Sequence, residues 1–366
     1  MNNTQGKRVP ANPSDAWPVE FSVGGRLIGP GNPCFIIAEA GVNHNGDLAL
    51  ARRLVDVAAD AGADAVKFQT FKAERVMSPS APKADYQKQT TGDAGSQLDM
   101  VRALELPPSA FQDLQARCID RGIQFLSTPF DHESVNVLFE MGVAAFKVPS
   151  GEITNWPFLE LVASKGRPVV LSTGMSYLGE VDEAVRVLHA AGCRQLAILQ
   201  CVSNYPAAPA DINLKAMRTM ERAFGTPVGY SDHSPGIEIA LAAAALGACI
   251  IEKHFTLDQN LPGPDHLASL EPDDLARMVR CIRVVEAALG DGRKRPAPAE
   301  FATAAVARRS LFVGRDVRAG DVIDSSVLSI LRPAGGIPPN VLSVIVGRRA
   351  ARDLRAGAML AWSDLA

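Results

Sequence analysis

Short apolar runs alternate along most of the chain with longer amphipathic stretches. The runs cover 35–39, 65–69, 124–128, 145–150, 169–173, 196–201, 228–231 and 249–252. Each is too short for a buried helix and too uniformly apolar for a half-exposed strand, so each reads as a strand covered on both faces. The stretches between them carry helical spacing. In 48–61, for example, Leu50, Leu54, Val57 and Ala61 fall on one face. Gly62, Gly122, Gly142, Gly166, Gly192, Gly225 and Gly247 stand just before strands, where helices end. Strands that alternate with helices form a parallel sheet. Eight such units predict an α/β fold, a (β/α)8 TIM barrel spanning 31–289. An open doubly wound sheet is the alternative, but no GxGxxG follows the first strand.

The flanking segments read differently. Residues 1–30 form a polar tail and then a hairpin over 21–28, with a Gly24-Gly25 turn and a position suited to plugging the barrel floor. The connection 71–107 is long for a barrel loop, which points to a lid or a substrate-recognition loop. Residues 290–300 are rich in Pro and charge and read as a linker. In 301–366 a nine-residue pattern repeats: Arg315-Asp316-Val317-Arg318-Ala319-Gly320-Asp321-Val322-Ile323 returns as Arg352-Asp353-Leu354-Arg355-Ala356-Gly357-Ala358-Met359-Leu360. That echo predicts a small β-rich domain with internal pseudo-symmetry.

Composition narrows the partners. A net charge of −3 over 366 residues gives no basis for binding nucleic acid or an acidic membrane surface. No run is long enough to span a bilayer, and the start lacks the apolar core of a signal peptide. The six cysteines form no CxxC pair and read as reduced core residues of a cytoplasmic protein, with a reactive thiol at Cys201 as the minor alternative.

Barrel enzymes collect their chemistry at strand C-termini. Those ends supply Glu39, Lys67, Gln69, Ser127, Thr128, Lys147, Ser150, Glu152, Ser172, Thr173, Ser203, Tyr205, His233 and His254. His233 and His254 end neighbouring strands, with Asp232 and Glu252 nearby. Two imidazoles so placed can hold a divalent metal in an open site; otherwise each is a satisfied structural histidine. Lys67 and Lys147 sit within apolar strands, where an ammonium needs an anion. With Thr128, Ser150 and Ser172 they suit a small phosphorylated carboxylate. The competing readings are pairing with Glu39 or Glu152, or a Schiff-base lysine. Glu39 and Glu152 are candidate acid or base groups. Asp265 is a candidate for sugar hydroxyls or, flanked by Pro and Gly, a turn residue.

Several longer stretches carry a resemblance. They are Ile36-Ile37-Ala38-Glu39-Ala40-Gly41-Val42-Asn43-His44-Asn45-Gly46, Val66-Lys67-Phe68-Gln69-Thr70, Lys147-Val148-Pro149-Ser150-Gly151-Glu152, Tyr230-Ser231-Asp232-His233, Glu252-Lys253-His254-Phe255-Thr256 and Leu331-Arg332-Pro333. Taken in order, these resemble the sialic acid synthases, nonulosonic acid synthases that condense phosphoenolpyruvate with an N-acylmannosamine. The segment 301–366 is similar to their antifreeze-like (SAF) domain. The resemblance implies that His233 and His254 ligate Mn²⁺ (or Mg²⁺), and that Lys67, Thr128, Lys147, Ser150, Ser172 and Ser231 hold phosphoenolpyruvate. It places Glu39 beside the carbon that water attacks. Gln69, Glu152, Tyr205 and Asp265 then contact the amino sugar, and Arg332 reaches its N-acyl group from the partner chain of a domain-swapped homodimer. Ser203 departs from relatives that have Asn there. The 86–98 loop resembles bacterial relatives that make legionaminic acid, so the sugar is N-acetylmannosamine or 2,4-diacetamido-2,4,6-trideoxymannose. A metal-dependent aldolase barrel that does not use phosphoenolpyruvate is the alternative enzyme, and a non-catalytic sugar-binding protein is the third reading.

Overall fold

The computed structural model describes residues 16–92 and 95–366. The expected tail over 1–15 and the side chains of Tyr86 and Gln89 lie outside the described residues. The chain divides into two compact units after Gly290.

The first unit begins with the hairpin β1 (Phe21–Val23) and β2 (Arg26–Ile28). Eight parallel strands follow: β3 (Phe35–Gly41), β4 (Ala65–Thr70), β5 (Gln124–Pro129), β6 (Phe146–Val148), β7 (Val169–Ser172), β8 (Leu196–Cys201), β9 (Val228–Asp232) and β10 (Ile250–His254). The ladder runs β5-β4-β3-β10-β9-β8-β7-β6, and β5 and β6 lie side by side at the remaining seam. All eight predicted strands are present, in a near-closed TIM-like barrel.

Helices α1 (Leu48–Asp60), α2 (Ala73–Val76), α3 (Asp85–Thr91), α4 (Gln97–Arg102), α5 (Pro108–Arg121), α6 (His132–Glu140), α7 (Trp156–Ser164), α8 (Leu178–Ala190), α9 (Ala216–Phe224), α10 (Glu238–Ala245) and α11 (Pro272–Leu289) fill the connections. Two differ from expectation. The buried face of α1 is Ala51, Leu54, Val55 and Ala58, whereas Leu50, Val57 and Ala61 are only half-buried. The buried stripe is rotated toward Ala51, Val55 and Ala58 and shares only Leu54 with the expected face. The connection 71–107 is not a bare loop, since it folds into α2, α3 and α4. At the ends of α5 and α9, Gly122 and Gly225 take the left-handed conformation that a Cβ would strain.

Side-chain alternation sets what the barrel holds. On β4, Val66 and Phe68 face the helices, whereas Ala65 faces the interior. Phe35, Ile37, Ala65, Leu126, Val170, Ala197, Leu199 and Ile250 form an apolar lower layer, closed from below by Phe21, Val23 and Ile28 of the hairpin. The hairpin is therefore the floor plug that its sequence predicts. Asp64 ties it down: its carboxylate meets Arg26 at 2.5 Å and Arg283 of α11 at 2.8 Å, and accepts from the Ile36 backbone N–H at 2.8 Å. The next inward positions up the same strands are polar, and they form the site.

The second unit comprises α12 (Glu300–Ala307), β11 (Ser310–Val313), β12 (Leu328–Leu331) and α13 (Leu342–Ile345) around a core that includes Leu311, Val313, Ile323, Ile337, Ile345 and Leu360. The repeated pattern packs against itself. Val317 and Leu354 exchange backbone hydrogen bonds at 2.9 and 2.8 Å. Asp353 accepts from the Ala319 N–H and Asp316 from the Ala356 N–H, each at 2.8 Å. Equivalent residues of the two copies thus make equivalent bonds, and the echo in the sequence becomes a pseudo-two-fold in the structure.

Candidate active site

Inward positions on neighbouring strands are brought into register: Glu39 opposite Lys67, His254 opposite Glu39, Glu252 opposite Ser231, and Gln69 opposite Thr128. They line a cleft of about 290 Å³ at the C-terminal end of the barrel. Lys67 Nζ lies 2.7 Å from Glu39 Oε2 and 3.7 Å from Glu252 Oε2, and donates to Thr128 Oγ1 at 2.8 Å. Lys147 Nζ donates to Ser172 Oγ at 2.7 Å and lies 3.5 Å from Glu252 Oε1, which also accepts from Ser231 Oγ at 2.9 Å. Gln69 Nε2 donates to Glu39 Oε1 at 3.2 Å. Gly174 lets its backbone N–H reach Ser150 Oγ at 2.9 Å; a Cβ there would meet the same oxygen at 2.9 Å.

The charges divide unequally. Burial alone would push Glu252 up, but Lys147 and Lys67 overcome it and hold its carboxyl down at about 2. Burial lifts Glu39 to about 7, against the pull of Lys67 and with the help of Glu252. Burial lowers Lys147 more than Glu252 restores it. Near neutral pH the cleft therefore holds a firmly ionised Glu252 between Lys67 and Lys147, and a Glu39 carboxyl poised between its two forms. Both lysine amines are buried with Glu252 shared between them, so an incoming anion would add counter-charge where water cannot.

The histidines meet above this floor, with ring centroids 5.4 Å apart. The Tyr205 ring lies 4.1 Å from that of His233 and 5.6 Å from that of His254. His233 Nδ1 lies 2.7 Å from the Val202 carbonyl. A carbonyl can only accept, so Nδ1 carries the proton and Nε2 is left to the cleft. Burial, then His233 and Lys67, hold His254 well below the usual imidazole range, so its ring is neutral. Its Nδ1 is buried with no hydrogen-bond partner and lies 3.9 Å from Asp265 Oδ2. A neutral imidazole with an orphaned nitrogen, beside a second imidazole of fixed tautomer, suits a divalent cation. Among the described residues no third His, Cys, Asp or Glu completes a ligand set, so the pair would leave positions open.

Most residues expected at the site do line this cleft: Glu39, Lys67, Gln69, Thr128, Lys147, Ser150, Ser172, Ser203, Tyr205, Ser231, His233 and His254. Asp265 is buried and lines an adjoining cavity with Gln69 and Tyr205; burial raises its carboxyl to about 6. Glu152 does not line the cleft; it lies half-buried two residues after Ser150, in the same short helical turn, and accepts from Asn155 Nδ2 at 2.6 Å. Arg332 is exposed in the second unit. Asp232, placed near the histidines by sequence distance, points away from the cleft and pairs with Lys253, because alternate residues on one strand face opposite sides. The same alternation turns Glu252 inward as the shared counter-charge of both lysines. That role was readable from its position two residues before His254. Cys201 is buried beside His233, with Sγ 3.8 Å from Nδ1. Phe130 and Met175 complete the walls and had no polar signature to mark them.

The comparisons fit this geometry. Residues 54–294 match the NeuB family and residues 308–366 the SAF domain. The chain is 47% identical to an N,N'-diacetyllegionaminic acid synthase of Legionella pneumophila over 336 residues, covering 91% of this chain and 94% of that protein. It is 48% identical to the synthase of the same name from Campylobacter jejuni over 322 residues, covering 87% and 96%. Among solved structures, the N-acetylneuraminic acid synthetase of Leptospira borgpetersenii, crystallised with citrate, superposes with a TM-score of 0.69 at 38% identity, covering 79% of this chain and 96% of that one.

Proposed function

The chain belongs to the NeuB family, and from that premise we propose that it condenses phosphoenolpyruvate with the open-chain form of an N-acylmannosamine-type sugar and releases phosphate. The observation that carries this reading is the pair of buried lysines, Lys67 and Lys147, that converge on the shared carboxylate of Glu252. A substrate with both a phosphate and a carboxylate gives these lysines further anionic partners. Thr128, Ser172 and Ser231 already donate or accept within this cluster and can turn their hydroxyls to the substrate oxygens. Ser150 and Ser203 extend the cradle along the wall.

The reaction joins C3 of phosphoenolpyruvate to the aldehyde carbon of the sugar, and the aldehyde oxygen becomes a hydroxyl. Water adds at C2 and gives up a proton. Glu39, held near neutral titration, is the group suited to take that proton. The C–O bond to phosphate then breaks, leaving a 2-keto acid. Gln69 orients the Glu39 carboxylate, and Lys67 steadies it at 2.7 Å. A divalent cation, Mn²⁺ or Mg²⁺, held by His233 and His254, would polarise the aldehyde. Tyr205 and Asp265 flank the sugar side of the cleft.

The defining experiment measures phosphate release with phosphoenolpyruvate and an N-acylmannosamine together and with each alone. Release that requires both supports the reading. An aldolase that ignores phosphoenolpyruvate, or a protein without turnover, overturns it. We also propose the domain-swapped homodimer, in which the exposed Arg332 serves the partner's barrel. Arg332→Ala and His233→Ala homodimers, each nearly inactive, should regain activity on verified subunit exchange; no recovery sinks the swap. Among the described residues no helix is long and apolar enough to cross a membrane.

A further inference from the structure

The turn just past β3 reads Asn43-His44-Asn45, and its two asparagines hold the loop that carries Asp265. Asn43 is buried and lines neither the cleft nor the adjoining cavity. Its Nδ2 donates to the Phe255 carbonyl at 2.8 Å and to Ser269 Oγ at 2.9 Å. A carbonyl can only accept, so the amide nitrogen must be the atom that faces Phe255. Ser269 Oγ in turn donates to the Asp265 carbonyl at 2.7 Å, which also accepts from the Ala268 N–H at 3.2 Å. Asn43 Oδ1, by contrast, is buried with no hydrogen-bond partner. An unpaired buried oxygen costs free energy, so the side chain is there for its two N–H groups. Those groups join the residue after His254 to a relay that ends at Asp265. Backbone bonds tie the same places together: the Leu270 N–H donates to the His254 carbonyl at 2.8 Å, and the Thr256 N–H to the Leu270 carbonyl at 2.9 Å. Next to Asp265, His266 Nε2 lies 3.2 Å from Asn45 Oδ1 and Nδ1 lies 2.7 Å from Thr256 Oγ1. Asp265 Oδ2 is thereby set 3.9 Å from His254 Nδ1.

We propose that Asn43 is a positioning residue for the sugar half of the reaction and acts through Ser269 on Asp265. The proposal rests on the functional reading above, in which Asp265 flanks the sugar, and adds two residues that touch neither substrate. Apart from the pairing at Leu270 and one short helical turn, His266–Ala268, the loop after β10 is irregular. No sheet or long helix therefore fixes the peptide on which the Asp265 side chain stands. The relay does so, by holding that peptide through its own carbonyl. A binding group displaced by about 1 Å can cost up to about a hundredfold in rate. The lysines and hydroxyls of the anion cradle, Lys67, Thr128, Lys147 and Ser172, stand on β4 to β7, away from this loop. Loss of the relay should therefore reach the sugar and spare phosphoenolpyruvate, which a general loss of stability would not do.

The test measures kcat/KM for the sugar and KM for phosphoenolpyruvate in wild type, Ser269→Ala, Asp265→Ala and the double variant. The sugar is whichever of N-acetylmannosamine and 2,4-diacetamido-2,4,6-trideoxymannose the wild type turns over faster. Ser269→Ala should lower kcat/KM for the sugar roughly tenfold and change the KM for phosphoenolpyruvate by at most about twofold. In the Asp265→Ala background the relay has no side chain left to place, so the same substitution should cost less than about twofold. Asn43→Asp sets an acceptor against the Phe255 carbonyl and should lower kcat/KM for the sugar by roughly a hundredfold. Thermal denaturation checks that each variant is folded; Ser269→Ala, which removes one oxygen, decides the matter where Asn43→Asp does not fold. An equal factor for Ser269→Ala in both backgrounds, an equal loss for both substrates, or no loss overturns the relay, while phosphate release by the wild type still upholds the synthase reading. No phosphate release by the wild type with either sugar overturns that reading and this proposal together.

Discussion

Lys253 and Asp232 face each other across β10 and β9, each one residue before a histidine of the site, with Nζ 2.8 Å from Oδ2 and neither side chain exposed to solvent. Asp232 Oδ1 also accepts from the Ser234 N–H and Oγ, and Lys253 Nζ from its side donates to the Ser234 carbonyl. The pair lies outside the barrel wall while His233 and His254 lie inside it. It fixes the relative register of the two strand ends and therefore of the two imidazoles. Lys253→Met leaves a buried carboxylate without its cation and should destabilise the protein by about 3–5 kcal/mol. Adding Asp232→Leu should recover much of that stability, because an apolar pair needs no desolvation of charge. Thermal denaturation of the single and double variants checks this; equal stability of Lys253→Met and wild type would remove the pair from the argument.

Lys147 offers the cleaner of two tests of the anion cradle. Lys67 cannot be removed without leaving Glu39 and Glu252 partly uncompensated, whereas Lys147→Met leaves Glu252 with Lys67. Charge-assisted bonds of this kind contribute about 1.5–3 kcal/mol. The KM for phosphoenolpyruvate should therefore rise roughly tenfold to a hundredfold, and the KM for the sugar by much less. A variant that weakens both substrates alike would place Lys147 in the architecture rather than in the cradle.

How far the sequence reveals such a site depends on which signal each residue carries. The barrel was legible because eight apolar runs and seven glycines mark a period that few other folds share. Lys67 and Lys147 stood out because an ammonium inside an apolar strand demands a partner. The identity of that partner was not legible. The sequence offered Glu39 and Glu152 as counter-charges, and the structure uses Glu39 and Glu252. Which of several carboxylates points inward follows from alternation along β9 and β10, which turns Glu252 in with His254 and Asp232 out with Lys253. The face of α1 is displaced by about one residue from the expected one: Leu54 is common to both, but Ala51, Val55 and Ala58 are buried in place of Leu50, Val57 and Ala61. The cavity that Asp265 lines had no local signature: Val42, Phe71 and Phe130, just past β3, β4 and β5, meet Val101 and Leu104 only through the fold.

The histidine pair predicts binding of a divalent cation independent of turnover. Titration calorimetry with Mn²⁺ on EDTA-treated protein should show one site per chain. His254→Ala removes the imidazole whose Nδ1 is orphaned, and should weaken that site at least tenfold while the thermal transition stays intact. Activity should be lost with EDTA and return with Mn²⁺. Metal-free protein that retains full activity, or a His254→Ala variant with unaltered affinity, would count against the assignment.

Glu39 carries the pH dependence. Its carboxyl titrates at about 7 because burial outweighs the attraction of Lys67, and Glu252 adds repulsion. A general base acts in its deprotonated form, so kcat should rise as pH increases through about 7 and level off above it. The opposite sign, a loss of rate on raising the pH through 7, would describe a general acid. Glu39→Gln keeps the size of the side chain and the hydrogen bond to Gln69 within reach, but cannot accept the proton. It should lower kcat by about 10²–10⁴-fold and flatten the limb near pH 7, with the KM for phosphoenolpyruvate changed far less than in Lys147→Met. Because Glu39, Lys67 and Glu252 titrate together, the measured midpoint belongs to the cluster. The limb should therefore also move in Glu252→Gln, downward, since removing the neighbouring negative charge eases ionisation of Glu39. Profiles of wild type, Glu39→Gln and Glu252→Gln across pH 5 to 9 settle the assignment: a limb that survives in Glu39→Gln belongs to another group, and one that stays fixed in Glu252→Gln removes the coupling on which the value of about 7 rests.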